Sequence, residues 1–300
     1  MDGFLNILKP PGMSSGDMVF QVRRLLPRGT RVGHGGTLDP DAAGVLPVCV
    51  GRAARLFDYI IDKQKTYIAE LRLGVVTDTQ DASGAVLERH DASAVTEDDV
   101  RAVLPRFTGT ISQIPPMYSA LKRGGQKLCD LARKGESLEL EPRPVTIHAI
   151  EYIARRDETA HLLRVTCGKG TYIRTLCHDI GAALGVGGHM AFLLRGAAGC
   201  FDVQSAATLE ELKAAAGENR LETLLYPLDA PLEHIRAVRL GTTWMKSVIN
   251  GVPVRVPGEV FAPDEIVRVY LKDAFVGIGQ ADESGLIRFR VCFGKEALQP

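Results

Sequence analysis

The chain has 300 residues, of which 45% are hydrophobic and 24% charged, and its 36 basic residues balance 36 acidic ones. This composition predicts a globular protein with a substantial core, and the length favours two domains. Zero net charge argues against a protein that coats nucleic acid uniformly, and six scattered cysteines argue against a disulfide framework or a zinc site. The chain shows neither a signal peptide nor a run of ~20 apolar residues, so we expect a soluble, cytoplasmic protein.

The predicted elements of the first two thirds of the chain alternate between strands and helices. Residues 4–8 predict a short strand, and Ser14 or Ser15 can cap the helix that follows. Residues 45–50, 65–74 and 161–167 predict further strands, and the alternation within 65–74 places Tyr67 and Leu71 on one face. Residues 95–107 predict a helix begun by Thr96, and 171–184 predict a helix with an apolar stripe. This order indicates a mixed fold of helices and strands.

The segment 33–44, which reads GHGGTLDPDAAG, places Asp39 in a run of glycines next to a proline. Gly33, Gly35 and Gly36 permit positive φ and a close approach of another molecule, while Pro40 favours an extended Asp39. A carboxylate held on such a loop suits a catalytic acid, base or nucleophile. The alternative is a surface turn, because Asp, Gly and Pro are ordinary turn residues.

A basic segment spans residues 121–134 and carries five basic residues against one acid, Asp130. It follows the irregular stretch QIPPMYSALKRGG, which includes Tyr118. A basic loop with an aromatic residue suits RNA phosphates and unstacked bases, although a solvated charged face is the alternative. The basic residues are Lys122, Arg123, Lys127, Arg133 and Lys134.

The C-terminal part, residues 236–300, contains four strand candidates separated by turns: VPVRVPG, EIVRVYL, AFVGIGQA and GLIRFRVCF. This pattern predicts a small β-rich module that begins after Pro231. Its nine basic and seven acidic residues fit an accessory role in RNA binding as well as they fit a structural cap.

Cofactor and metal motifs fail on inspection. In CGKGTY, Lys169 is followed by glycine where a phosphate-binding loop needs serine or threonine. Two Asp-rich stretches resemble calcium loops, but Val50 and Arg89 occupy the positions that require glutamate. We therefore expect no cofactor and no metal.

Collinear motifs over nearly the whole chain resemble the TruB family of tRNA pseudouridine synthases, which isomerise uridine 55 in the T arm. These are FLNILKPPGMSS, VGHGGTLDPDAAGVLPVCVGRAARL, KTYIAELRLGVVTDTQDASG, QIPPMYSALK, GKGTYIRTLCHDIGAALG and HMAFLLRGAAGCFDV. The resemblance implies an α+β fold with a mixed, mainly antiparallel central sheet flanked by helices and a small PUA-like β domain. It implies a catalytic domain over 1–231, with an RNA-gripping insertion at about 108–145, and a PUA-like domain over 232–300.

The resemblance also implies roles for individual residues. Asp39 matches the catalytic aspartate, and Arg174 matches the arginine that pairs with it. Tyr67 matches the active-site tyrosine, whose ring can stack on the flipped uracil and whose hydroxyl can assist proton removal from C5. His34 matches a histidine that fills the space vacated by the target nucleotide. Each of these could instead be a packing or surface residue if judged alone.

The remaining expected contacts concern the loop and the RNA. Lys9, with Pro10, matches a lysine-proline pair that we interpret as supporting the acid loop, and we group it with the substrate-binding residues. Tyr172 is expected beside the site. Lys122, Arg123 and Lys127 are expected to grip tRNA, the sole partner implied for a cytoplasmic monomer that needs no other protein.

Three departures from the family pattern are visible: Ala43 replaces a threonine, residues 53–55 read Ala-Ala-Arg for Ala-Thr-Lys, and Leu194 replaces an arginine. None alters Asp39, so we expect activity. Two alternatives stay open: a non-catalytic RNA-binding or tRNA-folding module, and a glycoside or nucleoside hydrolase. The latter would need a second carboxylate, and none is evident. Whether Asp39 attacks C1′ or removes a ribose proton also stays open.

Overall fold

The computed structural model describes residues 1–61, 63–119, 121–134 and 138–294. The strands within these residues are β1 (Gly3–Lys9), β2 (Val32–His34), β3 (Ala43–Val50), β4 (Lys65–Leu73), β5 (Val75–Thr77), β6 (Val86–Arg89), β7 (Gly109–Gln113), β8 (Lys122–Arg123), β9 (Gln126–Lys127), β10 (Arg143–Arg155), β11 (Ala160–Cys167), β12 (Gly188–Ala198), β13 (Phe201–Asp202), β14 (Leu225–Tyr226), β15 (Arg236–Leu240), β16 (Ile266–Leu271), β17 (Ala274–Ala281) and β18 (Ile287–Cys292). The helices are α1 (Ser15–Arg24), α2 (Phe57–Ile61), α3 (Glu97–Val103), α4 (Leu128–Arg133), α5 (Ile173–Ala183), α6 (Leu209–Gly217) and α7 (Met245–Ile249).

The central sheet runs in the order β14, β1, β3, β12, β4, β11, β10, β7, with β2 added to β3 and β13 added to β12. Its neighbouring strands pair antiparallel, apart from a short parallel contact between β12 and β3. The α+β prediction with a mixed, mainly antiparallel sheet is thereby confirmed.

The two longest helices bury their apolar faces against this sheet. Helix α1 begins at a capping box between Ser14 and Asp17, and its buried residues pack with alternate residues of β1 and β3. Helix α5 packs its apolar stripe on β4 and β11. The stripe consists of Ile173, Leu176, Cys177 and Ile180. No helix of the described residues combines the length and hydropathy that a bilayer crossing requires.

The C-terminal strands form a second sheet in the order β15, β16, β17, β18. One face of this sheet has its own apolar core. Ile278 and Phe293 pack instead with Phe4 and Phe201 of the central sheet, and Tyr270 donates a hydrogen bond to Asp229 at 2.6 Å. The second sheet is therefore joined to the first by apolar packing and by a hydrogen bond.

Three local expectations were wrong. VPVRVPG is not a strand, apart from one isolated bridge at Val254, while the strand Arg236–Leu240 was not predicted. The helix expected to run through residue 107 changes to a 3-10 turn at Leu104–Phe107, because Pro105 lacks the amide that an α-helix needs. The helix expected from residue 171 begins at Ile173.

Candidate active site

The acid loop, residues 35–42, connects β2 to β3 and carries Asp39. Leu38, directly before it, is buried and exchanges two hydrogen bonds with the Ser15 hydroxyl, at 2.9 and 3.1 Å. The Asp39 side chain is 37% exposed. Anchoring of the preceding residue therefore turns the carboxylate to the surface.

The glycines of this region serve different purposes. Gly36 has φ 124° and Gly44 has φ 116°, whereas Gly33 and Gly35 do not use the positive φ that glycine permits. A Cβ on Gly44 would lie 2.3 Å from the Arg195 carbonyl oxygen. Glycine is therefore required there for the close approach of β3 to β12.

Asp39 forms a two-pronged ion pair with Arg174, the second residue of α5. Arg174 Nε lies 2.9 Å from Asp39 Oδ2, and one terminal nitrogen donates to Oδ1 at 3.3 Å. The arginine is 6% exposed and also donates to the carbonyls of Thr79, at 3.2 Å, and Tyr118, at 2.8 Å. Its guanidinium is thus held from several sides, and the carboxylate is oriented against it.

The environment shifts the proton affinity of Asp39. Burial raises its pKa above the ordinary value of 3.8, the charge of Arg174 opposes the rise, and Asp81 adds to it. Asp81 Oδ2 lies 3.6 Å from Arg174. The arginine therefore serves two carboxylates, and it favours the ionised form of Asp39 against desolvation.

Tyr67 and His34 lie on two strands of the central sheet, β4 and β2, that are not paired with each other. Tyr67, on β4, is half-buried; burial raises its pKa, and Arg195 lowers it. His34 ends β2, and its buried Nδ1 has no hydrogen-bond partner among the described residues. Burial, followed by the charge of Arg195, lowers the pKa of His34 and favours the neutral imidazole. The structure therefore places both rings near the acid loop.

Lys9 lies beneath the acid loop and is completely buried, so it is not exposed as a substrate-contacting lysine would be. Its ammonium donates to the carbonyls of Pro10, Met13 and Pro40, at 2.5–2.9 Å. Burial lowers the pKa of Lys9 to about 8. These contacts fit the expected support of the loop.

Tyr172 is half-buried and caps the N-terminus of α5. Its amide donates to the Gln113 side chain at 2.9 Å, and its carbonyl accepts from the same side chain at 3.0 Å. Gln113 and Asp81 were missed in the sequence, since nothing in a single sequence signals their distant partners. The side chains of Lys122, Arg123 and Lys127 lie outside what the structure describes.

Arg174 balances the negative charge of the two carboxylates at this site, Asp39 and Asp81. No group of three His, Cys, Asp or Glu side chains within the described ranges is arranged to hold a metal ion. The groups brought together are an ionisable carboxylate, a cation, a phenol and an imidazole. Such a set suits proton transfer or nucleophilic attack by the carboxylate.

Two family models match consecutive parts of the sequence. The model described as "TruB family pseudouridylate synthase (N terminal domain)" covers residues 23–173. The model described as "tRNA pseudouridylate synthase B C-terminal domain" covers residues 174–233. Asp39 and Tyr67 fall in the first match, and Arg174 falls at the start of the second.

Curated proteins named tRNA pseudouridine synthase B are similar over most of the chain. The one from Alkaliphilus oremlandii is 46% identical over 283 residues, which is 93% of either protein. The one from Heliobacterium modesticaldum is 41% identical over 298 residues, covering 98% of this chain and 96% of the relative.

Solved structures share the architecture. A chain in the crystal structure of a Cbf5-Nop10-Gar1 complex superposes with a TM-score of 0.76 at 28% identity, covering 99% of this chain and 87% of the other. A chain in the structure of an H/ACA RNP bound to a substrate RNA containing 2′-deoxyuridine gives a TM-score of 0.75 at 26% identity, with the same coverage.

Proposed function

This chain belongs to the TruB family of pseudouridylate synthases, and from that premise we propose that it isomerises uridine 55 in the T arm of tRNA, using Asp39 as the catalytic carboxylate. Family membership makes the chain a tRNA pseudouridine synthase, an isomerase. The nucleotide position and the residue roles are the proposal.

The contact between Asp39 and Arg174 carries the proposal. Isomerisation breaks the N1–C1′ bond of uridine and joins C1′ to C5; C5 loses a proton, and N1 gains one. Asp39 must be ionised, whether it attacks C1′ or removes a ribose proton. The 2.9 Å contact with a buried arginine favours that form, and the partial exposure of the carboxylate leaves it open to the nucleotide.

Tyr67 and His34 supply the aromatic rings that can stack on bases when the target nucleotide leaves its loop. The target base lies in a folded loop, and its extrusion costs a few kcal/mol. We expect the ring of Tyr67 to stack on the extruded uracil. We expect its hydroxyl group to assist removal of the C5 proton. Neutral His34 is suited to fill the space that the nucleotide leaves, because an uncharged imidazole stacks on bases.

The tRNA itself is the expected partner. The basic side chains of Lys122, Arg123 and Lys127 would bind phosphates, with Tyr172 beside the site and the C-terminal sheet as a second RNA contact. One chain supplies Asp39, Tyr67 and Arg174, so these groups need no second subunit, and we propose a monomer that acts without another protein. We also propose that it acts in the cytoplasm.

The test uses T-arm RNA carrying tritium at uridine C5. Isomerisation releases tritium and leaves the strand intact. The matched control RNA carries cytidine at position 55, and we expect it to release nothing above background. Loss of the base would indicate a hydrolase, and binding with neither reaction would indicate a binding module; either result would overturn the proposal.

A further inference from the structure

Arg195, on β12, is a buried cation without an acidic partner. It is 1% exposed, and no carboxylate of the described residues lies within 4.0 Å of its guanidinium. Arginine keeps its charge in proteins, so burial without a counterion is costly. Such a group requires compensating contacts.

Those contacts are carbonyls at the start of the acid loop and on β3, just after the loop ends. Arg195 Nε donates to the carbonyl of Val45 at 2.7 Å. The terminal nitrogens donate to the carbonyls of Gly36, at 3.2 Å, and Thr37, at 3.4 Å. One guanidinium therefore ties the segment before Asp39 to the strand that follows it.

The sheet register also sets Arg195 beside Tyr67. Arg195 lies directly opposite Tyr67 where β12 pairs with β4, and opposite Gly44 where β12 pairs with β3. Residues opposite each other in a sheet share a face, with Cβ atoms ~5 Å apart in antiparallel pairs. The guanidinium thus lies between the acid loop and the tyrosine.

We propose that Arg195 is a positioning residue for the reaction, which fixes the acid loop in place and holds a cation beside the Tyr67 hydroxyl. This inference rests on the proposed function of Asp39 and Tyr67. Arg195 is too buried to contact RNA, so it acts through these two residues.

The charges that face Tyr67 agree with this role. Burial raises the pKa of the Tyr67 phenol, and Cys167 on β11 and Asp39 on the acid loop raise it further. Arg195 lowers it, through its charge and through a hydrogen bond. A cation at this position stabilises the phenolate, which is the form of Tyr67 that can accept the proton from C5.

The experiment compares Arg195→Met and Arg195→Lys with the exposed control Arg164→Met on β11, which is separated from β12 by β4. Single-turnover tritium release should fall roughly 10²-fold in Arg195→Met, as for a displaced catalytic group. It should fall roughly 10-fold in Arg195→Lys, which keeps the charge but makes fewer of the hydrogen bonds. The Kd for tRNA should stay within about threefold in both.

A second readout needs no RNA. Tyrosine labelled with ¹³C at Cζ reports the titration of Tyr67, assigned with Tyr67→Phe, and the pKa should rise in Arg195→Met. Because this titration does not depend on turnover, it tests Arg195 even if Asp39 proves dispensable. Wild-type release in either folded variant, or an unchanged Tyr67 pKa in folded Arg195→Met, would overturn the proposal. If Arg195→Met does not fold, release by Arg195→Lys decides.

Discussion

Asp39 is ion-paired on one side and exposed on the other, so a buried cation orients the carboxylate without covering it. Burial and Asp81 both raise its pKa, and Arg174 opposes them. Under the proposed function, the protonated form is inactive whether Asp39 attacks C1′ or removes a ribose proton. Activity should therefore fall on acidification at a pH above the ordinary aspartate value of 3.8.

Substitution of Arg174 by Met should move this acidic limb further upward, because the cation that favours the carboxylate is removed. The profile of kcat/KM against pH measures the midpoint in both proteins. We expect the variant to lose proportionally more activity at pH 6 than at pH 8. A midpoint that does not move, or moves downward, would show that Arg174 does not control the ionisation of Asp39.

For individual residues, the family resemblance was the part of the sequence analysis that predicted partners. It suggested the pair of Asp39 and Arg174, which lie far apart in the chain and meet at 2.9 Å. It did not suggest Asp81 or Gln113, because their partners depend on how distant segments fold together. It did not single out Arg195 either, whose contacts with the acid loop join distant parts of the chain.

Among the elements, the N-terminus of α5 most directly positions Arg174 against Asp39. Tyr172, its cap residue, has no side-chain cap bond of its own, and Gln113 at the end of β7 binds both its amide and its carbonyl. Gln113 is 2% exposed. The sheet edge thus fixes the turn of helix that carries Arg174.

Gln113→Leu should lower the free energy of unfolding by ~1–3 kcal/mol, because the Tyr172 amide loses its partner in a buried site. It should also slow tritium release. Denaturant titration measures the first effect, with exposed Gln204→Leu as the control. An equal free energy of unfolding in both variants would show that the two hydrogen bonds of Gln113 to Tyr172 do not stabilise the fold.

The basic segment around β8 and β9 is the element that we expect to bind RNA phosphates. Replacing Lys122, Arg123 and Lys127 with glutamine should weaken tRNA binding. The slope of log Kd against log salt should flatten by about 0.7–0.9 for each phosphate that the variant no longer binds. Fluorescence anisotropy at several salt concentrations measures this slope, and an unchanged slope would show that the segment does not bind phosphates.

Periodicity predicted most elements and failed where a short pattern was ambiguous. VPVRVPG alternates like a strand, yet its prolines lack the amide that a sheet ladder needs. The true strand β15 reads RAVRL, a pattern too short to distinguish from a loop. Tertiary pairing with β16, which no local pattern reveals, determines its structure.

For the molecule as a whole, the two sheets share an apolar cluster. Alternate residues of β1 point to different clusters: Leu5 and Ile7 pack with α1 and α6, while Phe4 packs with Phe201 and with Phe293 after β18. The boundary predicted after residue 231 remains a prediction, and the shared packing argues for coupled unfolding across it.

Phe293→Ala should therefore destabilise the whole chain by ~3–5 kcal/mol, because a 2% exposed ring is removed from the shared cluster. Fluorescence of Trp244, the single tryptophan, reports the C-terminal part, and far-UV circular dichroism reports the whole chain. Both denaturant midpoints should fall together, while Phe20→Ala, at a 56% exposed position, should leave them unchanged. Separate transitions would contradict the coupling.

The most direct test of the central claim is tritium release from T-arm RNA by Asp39→Asn, measured alongside RNA binding. The amide has nearly the same shape as the carboxylate but can neither ionise nor act as a base. We predict that release is abolished while the Kd stays close to that of the wild-type protein. Release at the wild-type rate by the folded variant would contradict the assignment of Asp39 as the catalytic carboxylate.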